Sequence, residues 1–133
     1  MSPMPAPCPL CAAAERQDLL AANDHAVAFF DAFPVSPGHA LIVSRRHVED
    51  LFDLSAEEQA ALWALLPIVK RTVDENHSPA GYNVGVNVGP AAGQTVGHVH
   101  VHVIPRYAGD VPDPRGGVRW VLPDRAAYWD KGR

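Results

Sequence analysis

The sequence has no surplus of positive charge: eleven lysines and arginines stand against fifteen aspartates and glutamates, a formal net charge of −4 with seven histidines neutral. This argues against a binder of nucleic-acid polymer that works through a basic surface, and any anionic ligand must be met by local donors. No apolar run approaches the length of a membrane span, and the first residues lack the charged and apolar regions of a secretory signal. No membrane partner and a cytoplasmic location are therefore expected. Cysteine is scarce. The two residues, Cys8 and Cys11, stand as C-P-L-C, a spacing that suits metal or redox chemistry better than a secreted disulfide framework.

Turn formers are plentiful, with thirteen prolines and ten glycines in 133 residues, a length that fits one domain over residues 1–133. Residues 1–7 form a proline-rich lead expected to be mobile. Ala12 to Leu20 suits a short helix. His25 to Phe30 and His39 to Ser44 read as two strands of a hairpin-like pair joined by the proline- and glycine-bearing segment 32–38. Ser55 and Glu58 fit a capping box, and Leu62, Leu65, Leu66, Val69 and Val73 follow at helical spacing, so one long helix starts here. Pro67 within it removes a backbone donor at a cost of roughly 3 kcal/mol, and a bend is expected between Leu62 and Pro67. Tyr82 to Val88 alternates as a strand, with a tight turn expected at Gly89 to Gly93. From residue 108 to 133 periodicity fades. This C-terminal extension is either a solvated tail or a loop that closes over a ligand, and Trp120 among Arg115, Arg119 and Arg125 favours order.

The most informative stretch is G-Q-T-V-G-H-V-H-V-H-V-I-P-R, residues 93–106. His98, His100 and His102 alternate with valines, and a period of two with β-branched residues between predicts a strand carrying three histidines on one face. At about 6.6 to 7 Å spacing they form a titratable cluster that a purely structural sheet would avoid. A histidine attacks phosphorus with one ring nitrogen when the other keeps its proton on a carbonyl or carboxylate. His100, flanked on both sides, is the natural nucleophile and His102 the natural helper. Gly93, Gln94 and Thr95 form a glycine-bearing turn able to cradle a phosphate.

A second constellation joins Cys8, Cys11, His47 and His98, two thiolates and two imidazoles suited to tetrahedral zinc. A redox pair and coincidental proximity are its alternatives. Four protein ligands leave no open position, so such a zinc is structural.

These residues resemble the histidine triad (HIT) family, whose signature of histidines alternating with apolar residues is matched by His98-Val99-His100-Val101-His102-Val103-Ile104. The similarity extends from C-P-L-C through F-F-D-A-F-P-V-S-P-G-H and S-R-R-H to G-P-A-A-G-Q-T-V-G-H-V-H-V-H-V-I-P-R. It implies an α+β fold with a five-stranded antiparallel sheet, one long helix and a short N-terminal helix, usually as a homodimer, binding a nucleotide or dinucleotide. It also implies that His100 forms a covalent nucleotidyl-histidine with His102 and His39 as accessory phosphate-binding histidines. Asp31 then meets the ribose, while Asn87, Gly93, Gln94 and Thr95 meet the phosphate and leaving group. Structural zinc on Cys8, Cys11, His47 and His98 matches bacterial members. The wording around the triad is similar to the fragile-histidine-triad branch, which hydrolyses dinucleoside polyphosphates, with magnesium at most carried by the substrate. The phosphoramidate-hydrolysing branch usually has serine where Thr95 stands. A phosphorylase, and a zinc-stabilised nucleotide-binding module without turnover, are the other readings.

Overall fold

The computed structural model describes residues 7–130, so all but the last residue of the proline-rich lead lies outside it. Its centre is an antiparallel sheet of five strands in the order β1-β2-β3-β5-β4, formed by β1 (Ala21–Ala22), β2 (Ala26–Phe30), β3 (Ala40–Ser44), β4 (Gly81–Val86) and β5 (His100–Arg106). The expected hairpin is β2 with β3, paired from Ala26↔Ser44 to Phe30↔Ala40. With helices packed on the sheet, the fold is α+β.

Strand alternation divides the core. Ala26, Ala28, Ala40, Ile42, Val101 and Val103 face α2 (Ala56–His77) and meet Leu62, Leu65, Val69 and Val73. Val27, Phe29, Leu41 and Val43 point the other way, where Leu10 of α1 (Pro9–Ala14) covers them. The valines between the histidines thus anchor β5 to the long helix and aim His100 and His102 at the opposite face. Ser55 caps α2 in the expected box: its hydroxyl accepts from the Glu58 amide, and the Glu58 carboxylate accepts from the Ser55 amide. The helix runs through Pro67 without a break. Pro67 is exposed, so the carbonyl four residues earlier, on exposed Trp63, can turn to water.

Three local expectations are corrected. The first helix is Pro9–Ala14, not 12–20, because the Cys8 sulfur accepts from the Cys11 amide as an N-cap and proline occupies the first helical position. The link from β4 to β5 is no tight turn. It runs over residues 87–99 and contains a 3-10 turn at Pro90–Ala92, with Gly89 and Gly93 at φ of +86° and +95°. Gln94 holds this loop open, since its side chain accepts from the Gly89 amide and donates to the carbonyls of Glu49 and Val96. As a result β5 begins at His100, and His98 lies in the bend before it rather than in the strand. Beyond β5, a 3-10 turn (Gly117–Val121) and α3 (Pro123–Ala126) give the C-terminal segment defined structure. No helix among the described residues is long and apolar enough to cross a membrane.

Candidate active site and metal centre

His98 is fully buried, and its Nε2 donates to the Ser44 carbonyl at 2.7 Å. That bond fixes the neutral tautomer with Nδ1 unprotonated. Nδ1 faces two sulfurs, Cys8 Sγ at 3.5 Å and Cys11 Sγ at 3.4 Å, and Cys11 Sγ lies 3.2 Å from His47 Nδ1. All four ligand atoms lie within 4.8 Å of one another. Metal–ligand distances of about 2.3 Å to sulfur and about 2.0 Å to nitrogen in a tetrahedron put neighbouring S and N atoms about 3.5 Å apart, so the cluster fits zinc in size as well as in donor chemistry. Burial, and then the adjacent Cys8 thiol, push the Cys11 thiol above its ordinary range, a burden that a bound cation relieves.

Two residues on, the polarity of the ring is reversed. His100 Nδ1 donates to the His98 carbonyl at 2.8 Å, which leaves Nε2 with its lone pair. His100 and His102 line a cleft of about 280 Å³ with Asp31, Asn87, Gly93 and Thr95. The opposite wall consists of Phe29 and, from α1, Pro9, Leu10 and Ala13. Arg16 sits at its edge with its guanidinium 5.9 Å from the Phe29 ring centre. None of the described tail residues lines this cleft. Sequence reasoning missed the α1 wall, although Leu10 and Ala13 at i, i+3 spacing carry the signal of one helix face.

A chain of bonds also sets the tautomer of His102. The Val35 amide donates to His39 Nδ1 at 3.1 Å, so neutral His39 carries its proton on Nε2. That Nε2 lies 3.0 Å from His102 Nδ1 and 3.5 Å from Asp31 Oδ2. His102 Nδ1 is therefore the acceptor, and His102 Nε2–H is left as a donor. Burial lowers the pKa of both rings; for His39 the Asp31 carboxylate opposes it, and for His102 the neighbouring His100 and His39 add to it. Asp31, His39 and His102 are close enough together to suggest a second metal triad. The Val35 amide argues against one, because the nitrogen of His39 that would have to bind a cation holds the proton.

The structure thus gathers Asp31, Asn87, Gly93, Thr95, His100 and His102 around one cleft, with His39 behind His102. The Gln94 side chain is the exception, spent on bracing its own loop.

A family model for the HIT domain matches residues 13–109. The AP-4-A phosphorylase of Mycobacterium tuberculosis is 40% identical over 62% of this chain and 43% of that protein. The bis(5'-nucleosyl)-tetraphosphatase [asymmetrical] of Schizosaccharomyces pombe is 40% identical over 62% of this chain and 46% of its own. The chain spans about 60% of the length of the first curated relatives it matches. Among solved structures, a zinc-bound histidine triad family protein from Mycobacterium smegmatis superposes with a TM-score of 0.66 at 29% identity, covering 95% of each chain. With its sheet order, its alternating histidines and this match over most of its length, the chain belongs to the HIT domain family.

Proposed function

We propose that the protein is a nucleotide hydrolase that cleaves the α-phosphate linkage of a dinucleoside polyphosphate through a covalent nucleotidyl-histidine at His100. The observation that carries this reading is the bond from His100 Nδ1 to the His98 carbonyl, which leaves Nε2 as a nucleophile beside Asp31, Thr95 and His102. The names of the relatives, a phosphorylase and a tetraphosphatase of nucleosyl phosphates, support the substrate class.

In the first step His100 Nε2 forms a bond to the α-phosphorus. The bond from phosphorus to the bridging oxygen breaks, and its electron pair leaves on the departing nucleotide, which needs no proton. The imidazole becomes cationic, and the His98 carbonyl on Nδ1–H stabilises that charge. His102 Nε2–H donates a hydrogen bond to phosphoryl or bridging oxygen, while Gly93, Thr95 and Asn87 hold the phosphate and Asp31 the ribose. In the second step water adds its oxygen to phosphorus and releases a proton to solvent. The P–N bond breaks, and its electron pair returns to His100. Magnesium enters only with the substrate.

The same reading gives Cys8, Cys11, His47 and His98 to a structural zinc, supported by the metal named in the mycobacterial neighbour. It also includes a cytoplasmic location and a homodimer, the latter supported by Trp63 and Ile68 of α2, each 43% exposed. Sedimentation analysis checks the dimer.

The test is to mix enzyme with diadenosine tetraphosphate, quench at neutral pH and weigh the intact chain. An added nucleoside monophosphate that disappears in His100→Ala is expected. Binding without an adduct would leave only a nucleotide-binding module. Adding inorganic phosphate separates the phosphorylase: a nucleoside diphosphate among the products would identify phosphate as acceptor.

A further inference from the structure

His102 and Asn87 border two clefts. One is the nucleotide cleft already described. The other, about 360 Å³, lies on the far side of His102 and is walled by Val35, Asn83, Gly85, Val118 and Val121. Two of these walls come from beyond residue 109, where the family match ends. The floor of this cleft thus lies within the matched domain, and its tail side lies outside the match.

Its construction is specific. Gly85 pairs with His102 across β4 and β5, and a Cβ placed there would meet nothing within 4 Å, so glycine keeps the floor open. The tail comes close because Gly117 adopts φ of +49°, and any Cβ on it would approach the Asn83 side-chain nitrogen to 3.1 Å. The next turn of the tail presents Val118 and Val121, which are 59% and 78% exposed, opposite Val35 at 71%. Three exposed valines around a catalytic-type histidine form an apolar collar where solvent would favour polar residues.

Among the described residues, no lysine or arginine lines this cleft. Three arginines near the cleft already have partners. Arg119 donates to the carbonyls of Ala126 and Arg125, Arg115 pairs with Asp113 and covers the Trp129 ring, and Arg106 holds Asp110 and Asn83. A polyanionic leaving group would lie here against valines and amides, and the guanidinium behind Asn83, that of Arg106, is already neutralised by Asp110.

We infer that this second cleft receives the uncharged body of the leaving group, and that Val118, Val121 and Gly85 select donors that carry an aromatic or apolar moiety beyond the phosphates. The chain accordingly takes aryl esters of nucleoside monophosphates and dinucleotides with a short phosphate bridge. It rejects nucleoside triphosphates, whose leaving pyrophosphate is all charge. This rests on the nucleotidyl-histidine reading. The electron accounting is unchanged: His100 Nε2 bonds to phosphorus, the P–O bond breaks, and a nitrophenolate or nucleotide departs with the electron pair.

The experiment measures kcat/KM for three donors that share adenosine monophosphate: its 4-nitrophenyl ester, diadenosine triphosphate and ATP. Wild type is expected to use them in that descending order. Val118→Ser/Val121→Ser should lower kcat/KM about tenfold for the first two, the scale of one lost apolar contact set, with little change for ATP. Dissociation of adenosine monophosphate should be unaltered, which also reports that the variant is folded. Gly85→Val, which fills the floor, should act in the same direction. If the variants change all three donors by one common factor, or if ATP is the best donor of the wild type, the inference is wrong. Absence of a His100 adduct with every donor overturns the parent reading and this one together.

Discussion

His98 and His100 stand two residues apart and are used in opposite senses. At His98 a carbonyl from β3 takes the proton on Nε2 and Nδ1 is presented to two sulfurs; at His100 the carbonyl of His98 itself takes the proton on Nδ1 and Nε2 is presented to the cleft. Residue type does not distinguish them. The backbone oxygen within reach decides which nitrogen is free, and position along the chain decides what that nitrogen meets. Because His98 lies in the bend before β5, its ring lies beside His47, the ring centres 5.0 Å apart, rather than in the cleft with His100 and His102.

Mutations can break this division at either end. The largest effect is expected for His100→Ala, which should lower kcat/KM for a dinucleoside polyphosphate by about 10⁴-fold or more while leaving zinc content and melting temperature unchanged. Equal loss of zinc would show that the two rings are not separate. Next, Cys8→Ser/Cys11→Ser should abolish zinc measured per chain by atomic emission and lower the melting temperature by about 10 °C or more, since a structural metal contributes folding free energy directly. Wild-type metal content in that variant would remove the metal centre. His39→Gln should be milder, about 10- to 100-fold in kcat/KM, because it loosens the tautomer and orientation of His102 without touching the nucleophile. Adduct formation at His100, followed by mass, should slow but persist.

The smallest effect sharpens the comparison by pH. Burial holds His39 and His102 below the ordinary histidine value near 6.5, so the unfolded chain binds more protons than the folded one between the folded and unfolded pKa values. Their contribution to stability is complete above the unfolded value and is lost as pH falls toward the folded ones. Urea denaturation at stepped pH should show wild type losing stability over that window more steeply than His39→Gln. Parallel curves would mean that these rings do not sense folding.

Much of this was readable in the sequence because it rests on short-range rules. Period-two alternation placed Val101 and Val103 in the core and His100 and His102 opposite, and Ser55 with Glu58 marked the start of α2. What escaped depends on contacts between distant residues. The loop before β5 is long because Gln94 reaches Glu49, forty-five positions away, and no local pattern shows that. The first helix starts early because a cysteine caps it, a role usually filled by Ser, Asp or Asn. Val118 and Val121 gave no signal, being apolar residues in an aperiodic stretch whose meaning comes only from lying across the cleft from Val35.

The short helix α1 has one feature with a thermodynamic consequence. Cys8 and Cys11 place it in the cysteine–histidine cluster, while Pro9, Leu10 and Ala13 of the same segment wall the cleft of His100 and His102. If the proposed zinc and nucleotide both bind, each would brace this same segment, and the two binding equilibria are then expected to be linked. By reciprocity, the factor by which zinc tightens a nucleoside monophosphate must equal the factor by which that nucleotide tightens zinc. Paired titrations, each ligand with and without the other, should return one shared factor greater than one.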